Sequence, residues 1–189
     1  FSPTEVNFNY TEANSWQYSF FVPHDISGLI NLHGGSALFN LKLNELFNSN
    51  STIEGRKQAD ITGLIGQYAH GNEPSHHMAY LYNSSGRPEK SQFMVNKILN
   101  ELYHSSPSGI SGNEDCGQMS SWYVLSALGF YPVTPGLPYY TIGTPLFEKA
   151  IINLENGNEF IIESKRAHPN DIYIQNVFLN GIPYKKSFL

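Results

Sequence analysis

Apolar residues in the first 130 positions recur at three- and four-residue intervals, separated by polar stretches rich in Gly, Asn and Ser. A first helix is expected through "EANSWQYSFF", capped by Thr11 and stopped by Pro23. Asp25 can cap "ISGLINL", which Gly34 and Gly35 end. Ser36 can cap "ALFNLKLNELF", where Leu38, Leu41 or Lys42, and Leu46 fall near helical spacing. The polar run from Asn48 to Lys57 is expected to be a loop. Pro74, with its fixed φ, suits the first position of a helix in "PSHHMAYLYN". "SQFMVNKILNELYH" sets Phe93, Val95, Ile98, Leu99 and Leu102 on one face. "CGQMSSWYVLSALG" follows Asp115, with Gly129 as its stop.

Past Pro132 the pattern changes. "PVTPGLPYYTIGTP" reads as a connector, and "KAIINLENGNEFIIESKR" as two strands turning at Asn156-Gly157. "DIYIQNVFLNGIPYKK" repeats this with Asn180-Gly181. The expected fold is mainly α: an array of roughly six helices over residues 1–131, then a connector and small antiparallel β unit over 132–189. Strands and helices do not alternate, which disfavours a doubly wound fold.

Composition narrows the function. Charged residues are only 14% of the 189, against 40% hydrophobic and 14% aromatic. The polar surface is therefore built from amides, hydroxyls, Tyr and His, which suits sugars better than phosphates. A net charge of −5, with no basic run, argues against nucleic acid. Cys116 is the sole cysteine, so no intrachain disulfide forms; a thiol nucleophile is one reading of it, but a lone Cys at a helix start is more often packing. No apolar run is long enough for a transmembrane helix. The chain opens without Met and closes abruptly at "YKKSFL", so a piece of a longer protein is expected.

Three expected helix starts hold the chemistry: "NYTEANSW", "HGNEPSHH" and "GNEDCGQ". In an array of helix pairs, such starts gather at one end. Zinc is disfavoured, because no two His stand four apart around a Glu. His76 and His77 are adjacent, about 100° apart on a helix. The oxygen donors Asn72, Glu73, Asn113, Glu114 and Asp115 would favour Ca²⁺. An acid–base reading fits glycoside hydrolysis, which needs one carboxylic acid and one carboxylate. Helix N–H groups would hold Asp115 ionised as a base. Desolvation by Trp16 would raise the pKa of Glu12 as an acid, while a place in the first helical turn would pull the other way. The competing structural readings are plain. Glu73 and Asp115 are ordinary helix-start carboxylates, Trp16 and Trp122 are core, and the His pair is one buried ring and one exposed ring. The density of carboxylates in Gly-flanked loops favours function.

At these residues the sequence resembles glycoside hydrolase family 92. The blocks are "YTEANSWQYSFFVPHDISGLINLHGG", "IGQYAHGNEPSHHMAYLYN" and "GNEDCGQMSSWYVLSALGFYPVTPG", and the likeness extends to the tail "IQNVFLNGIPYKKSF". The resemblance implies calcium-dependent, exo-acting, inverting α-mannosidases, mostly α-1,2-specific. It implies the C-terminal half of a catalytic (α/α)6 barrel, with an N-terminal β-sandwich and the first barrel half lying outside this chain. Glu12 in "YTEANSW" would be the acid and Asp115 in "GNEDCGQ" the base. Asn72, Glu73, His76, His77, Asn113 and Trp16 would line the mannose site, with Asn72, Glu73 and Glu114 near Ca²⁺. Many members carry Asp-Glu-Asp at the base motif, whereas this chain has Asn113-Glu114-Asp115. Asn113 can orient water but cannot take its proton. The resemblance implies mannose-containing glycans as substrates and a secreted, periplasmic or cell-surface parent protein. The alternatives are a non-catalytic carbohydrate-binding helical module and a metal-independent α/α-barrel glycosidase. Asn9, Asn50 and Asn83 lie in N-x-Ser/Thr sequons, which matter in a eukaryotic secretory host.

Overall fold

Long loops link six α-helices and ten short strands among the described residues, 2–189, of the computed structural model. Helix α1 (Ser15–Ser19) is shorter than its sequence pattern suggests. Thr11 does not cap it; Asn14 does. The Asn14 side chain accepts from Trp16 N (3.0 Å) and Gln17 N (3.4 Å), while Gln17 Oε1 accepts from Asn14 N (2.7 Å). This reciprocal box starts the helix three residues later than expected. Helix α2 (Ile26–Leu32) begins as expected, with Asp25 Oδ1 accepting from Gly28 N at 2.8 Å.

Helix α3 (Ser36–Asn48) is capped by Gly35, not Ser36, which is its first helical residue. Its buried face is Phe39, Asn40, Leu43, Leu46 and Phe47. Leu38 and Leu41 are 55% and 58% exposed. The helical period holds, but the stripe that meets the core is shifted by one residue. Phe39 decides it by packing against the Phe20 and His33 rings at 5.9 and 5.4 Å.

The "PSHHMAYLYN" segment is not one helix. It forms two 3₁₀ turns, Glu73–Ser75 and Met78–Tyr80, and then the single-turn α4 (Leu81–Ser84). Helix α5 (Pro88–Glu101) starts earlier than expected. Phe93 is 48% exposed, and Met94 joins Val95, Ile98 and Leu99 on the buried face instead. Helix α6 (Gln118–Leu128) runs between left-handed Gly117 and Gly129, the latter as expected.

Helix α2 packs on α3 and α4, and α5 packs on α4 and α6. Between them lies one large core that includes Phe20, Phe39, Leu43, Tyr80, Ile98 and Trp122. It extends into the connector through Val133, and Thr134 Oγ1 donates to Pro23 O at 2.8 Å.

The strands all pair two by two. β1 (Glu5–Val6) lies parallel to β2 (Glu54–Gly55), and β3 (Leu64–Ile65) turns back on β4 (Tyr68–Ala69). β5 (Phe130–Tyr131) and β6 (Thr141–Ile142) clasp the connector, and the chain end returns to it through Leu189 N and Tyr140 O at 2.8 Å. β7 (Lys149–Asn153) and β8 (Glu159–Glu163) form the first expected hairpin, with Ile151 opposite Ile161. β9 (Val177–Leu179) and β10 (Ile182–Tyr184) form the second. Its turn residues Asn180 and Gly181 have φ 52° and 78°, the two positive values that a type I′ turn demands. The expected β unit is therefore a pair of separate hairpins rather than one sheet.

Candidate active site

The three chemistry-bearing loops meet. Asn72 Nδ2 donates to the carbonyl of Glu12 at 2.9 Å, which ties the lead-in of α1 to the 73–75 turn. On the other side, the Glu73 carboxylate lies close enough to Asp115 to push its pKa up. Residues 12, 72–73 and 115 thus share one end of the helical array.

Glu12 is exposed and stands two residues before the helix cap, outside the first turn. Its backbone is left-handed, φ 54°. The cap just beyond it is firmly anchored. Asn14, Gln17 and Gln67 are at most 2% exposed and form a buried amide network. Asn14 Nδ2 donates to Gln67 Oε1 (2.9 Å) and Gln17 Nε2 to Gln67 O (2.7 Å). Gln67 in turn donates to the carbonyls of Asn50 (2.6 Å) and Thr52 (3.0 Å). The exposed carboxylate is mounted on a fully satisfied polar base. Trp16 is half-buried against the core, with Lys42 Nζ 4.3 Å from its ring centre. Trp122 is wholly core.

Asp115, Cys116 and Gly117 are three consecutive left-handed residues, with φ 52°, 55° and 102°. The helix N–H groups expected to hold the Asp115 charge go to Glu114 instead. Its carboxylate accepts from Gly117 N and from Ser120 N (3.2 Å), and the bonds to Ser120 lead in holding its pKa low. Asp115 moves the opposite way, through desolvation first and then the Glu73 charge. The side chain is open to water, so Glu73 is the specific cause. A raised pKa makes the Asp115 carboxylate a stronger proton acceptor. Asn113 Nδ2 donates to Asp60 Oδ1 at 3.0 Å.

Both histidines of the pair are buried, 2% and 4% exposed, which corrects the expectation of one exposed ring. His76 Nε2 donates to His70 O at 2.9 Å and His77 Nε2 to Phe20 O at 2.8 Å. Burial lowers both pKa values to about 4, so both rings are neutral. His70 lies deeper, between the hydroxyls of Tyr68 (2.7 Å) and Tyr103 (2.6 Å), and burial holds its pKa well below the usual value.

Only four non-glycine residues among those described have positive φ: Glu12, Asp115, Cys116 and Asn180. Asn180 is accounted for by its hairpin turn. The remaining three sit at the converging loops. Each costs on the order of 1–3 kcal/mol, and such outliers concentrate at functional sites.

For a hard cation, Asn72 and Glu73 fit. The Asn72 amide nitrogen is spent on Glu12, which leaves its oxygen for another partner, and Glu73 is exposed. Glu114 is committed to α6. Among the described residues, no three His, Cys, Asp or Glu gather as a metal cage. Three participants go unmarked in the sequence: Asp60, Gln67 and Gln118. The pairing of Asn14 with Gln17 is legible as a capping box; a contact such as Asp60 with Asn113, 53 residues apart, has no local signal.

The family model described as "Glycosyl hydrolase family 92 catalytic domain" matches residues 1–189. A family 92 α-mannosidase of Bacteroides thetaiotaomicron, solved in complex with mannoimidazole, superposes with a TM-score of 0.92 at 38% identity. The match covers 100% of this chain and 26% of that one. An inverting family 92 mannosidase of Bacteroides thetaiotaomicron VPI-5482 gives 0.85 at 37% identity, covering 100% and 27%. A protein of Arthroderma benhamiae described as an uncharacterized secreted glycosidase is 32% identical over 181 residues, 94% of this chain and 21% of that protein. The chain thus spans about a fifth to a quarter of the length of these relatives.

Proposed function

The chain belongs to glycosyl hydrolase family 92, and from that premise we propose that it is part of the catalytic (α/α)6 barrel of an exo-acting, inverting, calcium-dependent α-mannosidase. The substrates are mannose-containing glycans with terminal α-mannosides, α-1,2-linked in the first instance. The parent protein is secreted or cell-surface, and an N-terminal β-sandwich lies outside residues 1–189. The observation that carries this reading is the left-handed backbone at Glu12 and Asp115, on loops joined through Asn72 and Glu73.

Glu12 acts as general acid. Its carboxyl proton passes to the glycosidic oxygen as the bond from that oxygen to the anomeric carbon breaks. Asp115 acts as general base on the opposite face. It takes a proton from a water whose oxygen bonds to the anomeric carbon, giving mannose of inverted configuration and a free alcohol. Such pairs stand roughly 6.5–9.5 Å apart, which leaves room for the water. Asn113 cannot share the proton, so Asp115 is the single base of the motif. Asn72 and Glu73 are the residues that would hold calcium. When bound, the ion supplies positive charge at the sugar hydroxyls and favours ring distortion.

The test uses the full-length enzyme and an α-1,2-linked mannobiose. Glu12→Gln and Asp115→Asn should each cut kcat by at least about 10²-fold. Chelation should silence the wild type, with recovery on added Ca²⁺, and the first-formed anomer seen by NMR should be β. Full turnover in either variant removes that residue from its role. Indifference to chelation favours a metal-independent glycosidase, and mannose binding without hydrolysis favours a binding module.

A further inference from the structure

His76 stands beside the site but has no ring nitrogen free for a sugar. Nε2–H donates to His70 O at 2.9 Å, which makes Nδ1 the acceptor, and Gln118 Nε2 donates to it at 3.1 Å. Residue 76 is gripped a second time by the same helix, since Trp122 Nε1 donates to the His76 carbonyl at 2.9 Å. Gln118 and Trp122 are four apart on α6 and so lie on one face. The backbone N–H of His76 donates to Glu73 O at 3.0 Å, closing the turn that carries Glu73. The N–H of Gln118 donates to Asp115 O at 3.2 Å. One continuous path of hydrogen bonds therefore runs from the Glu73 turn through the His76 ring and Gln118 to the backbone of Asp115.

We propose that His76 is a positioning residue, which fixes the strained Asp115 turn through Gln118 and sets it in register with the Glu73 turn. The inference rests on the reading of Asp115 as general base. A left-handed run of three residues relaxes unless neighbouring contacts hold it, and the Glu114 bonds hold only its helical side. The Gln118–His76 bond joins it to a different segment of the chain, with the His76 end buried. A buried neutral imidazole suits this task, because its tautomer is set by the His70 carbonyl and does not change near neutral pH. Catalysis of this kind is sensitive to base position on the scale of 1 Å.

The decisive variant is Gln118→Met in the full-length enzyme, which removes the donor without opening the buried ring. On α-1,2-linked mannobiose, kcat should fall about tenfold or more while KM changes by less than about twofold, because sugar binding survives and the base is displaced. Gln118 also reaches the Tyr131 hydroxyl. Tyr131→Phe, the control for that contact, should leave kcat within about twofold. His76→Asn, which keeps an amide near the Nδ1 position, should retain more turnover than His76→Leu. Wild-type kcat in Gln118→Met, or a loss wholly in KM, overturns the proposal if Asp115→Asn is inactive in the same enzyme. An active Asp115→Asn overturns the base assignment itself, and the positioning role falls with it.

Discussion

Glu12 is an exposed side chain on a strained backbone, and the two properties make opposite demands. Left-handed φ is disfavoured for a residue with a Cβ by roughly 1–2 kcal/mol, and Glu12 has φ 54°. Glu12→Gly relieves that strain, though the more flexible unfolded chain offsets part of the gain. Its stability should stay level or rise by up to about 1 kcal/mol in chemical denaturation, while turnover is lost. A destabilised Glu12→Gly variant would show that the side chain packs rather than acts. His76 and His77 give a second test at this scale. Their pKa values fall from 6.5 to about 4 on folding. The unfolded chain therefore binds protons that the fold refuses between these limits. Stability is complete above pH 6.5 and is lost as pH falls toward 4, with a slope of up to about 1.4 kcal/mol per pH unit for each ring. The urea midpoint measured from pH 7 to 5 should fall accordingly, and a flat midpoint contradicts the burial of the pair.

At the scale of elements, periodicity is the legible part. The presence of α2, α5 and α6 and both hairpin turns stem from caps, glycines and apolar spacing, which are local. The facing stripe is less legible. Leu38, Leu41 and Phe93 match helical spacing but point outward, because spacing fixes the angle between residues and not which side meets the core. The start of α1 shows the same limit in polar residues. Asn14 serves as cap and also donates to Gln67, 53 positions away. Asn14→Ala should remove the cap, at about 1 kcal/mol. It also leaves Gln67 Oε1 without its donor, for a further 1–3 kcal/mol or so. A loss confined to the cap would mean that Gln67 finds another partner.

For the whole molecule, the apolar side chains left outside matter most. Leu32, Leu38 and Leu41 run along α2 and α3 at 88%, 55% and 58% exposure. The hairpins behave alike, with Phe178 and Ile182 at 62% and 69%, and isolated two-stranded ribbons are marginal in water. If helices of the same barrel lie against α3, Leu41→Ala in the full-length protein should cost about 2 kcal/mol or more, the range of a buried Leu. A cost near zero would place that face in solvent and count against the barrel.

Local chemistry settled in advance what it can settle: six helical stretches, two hairpins and, through its motif blocks, the family. These depend on residues a few positions apart. Tertiary structure alone decided the rest: which stripe of α3 is buried, that both rings of the His pair are inside, and that Glu73 faces Asp115. Each of these turns on a contact between segments distant in sequence, and no pattern within a single segment encodes its partner.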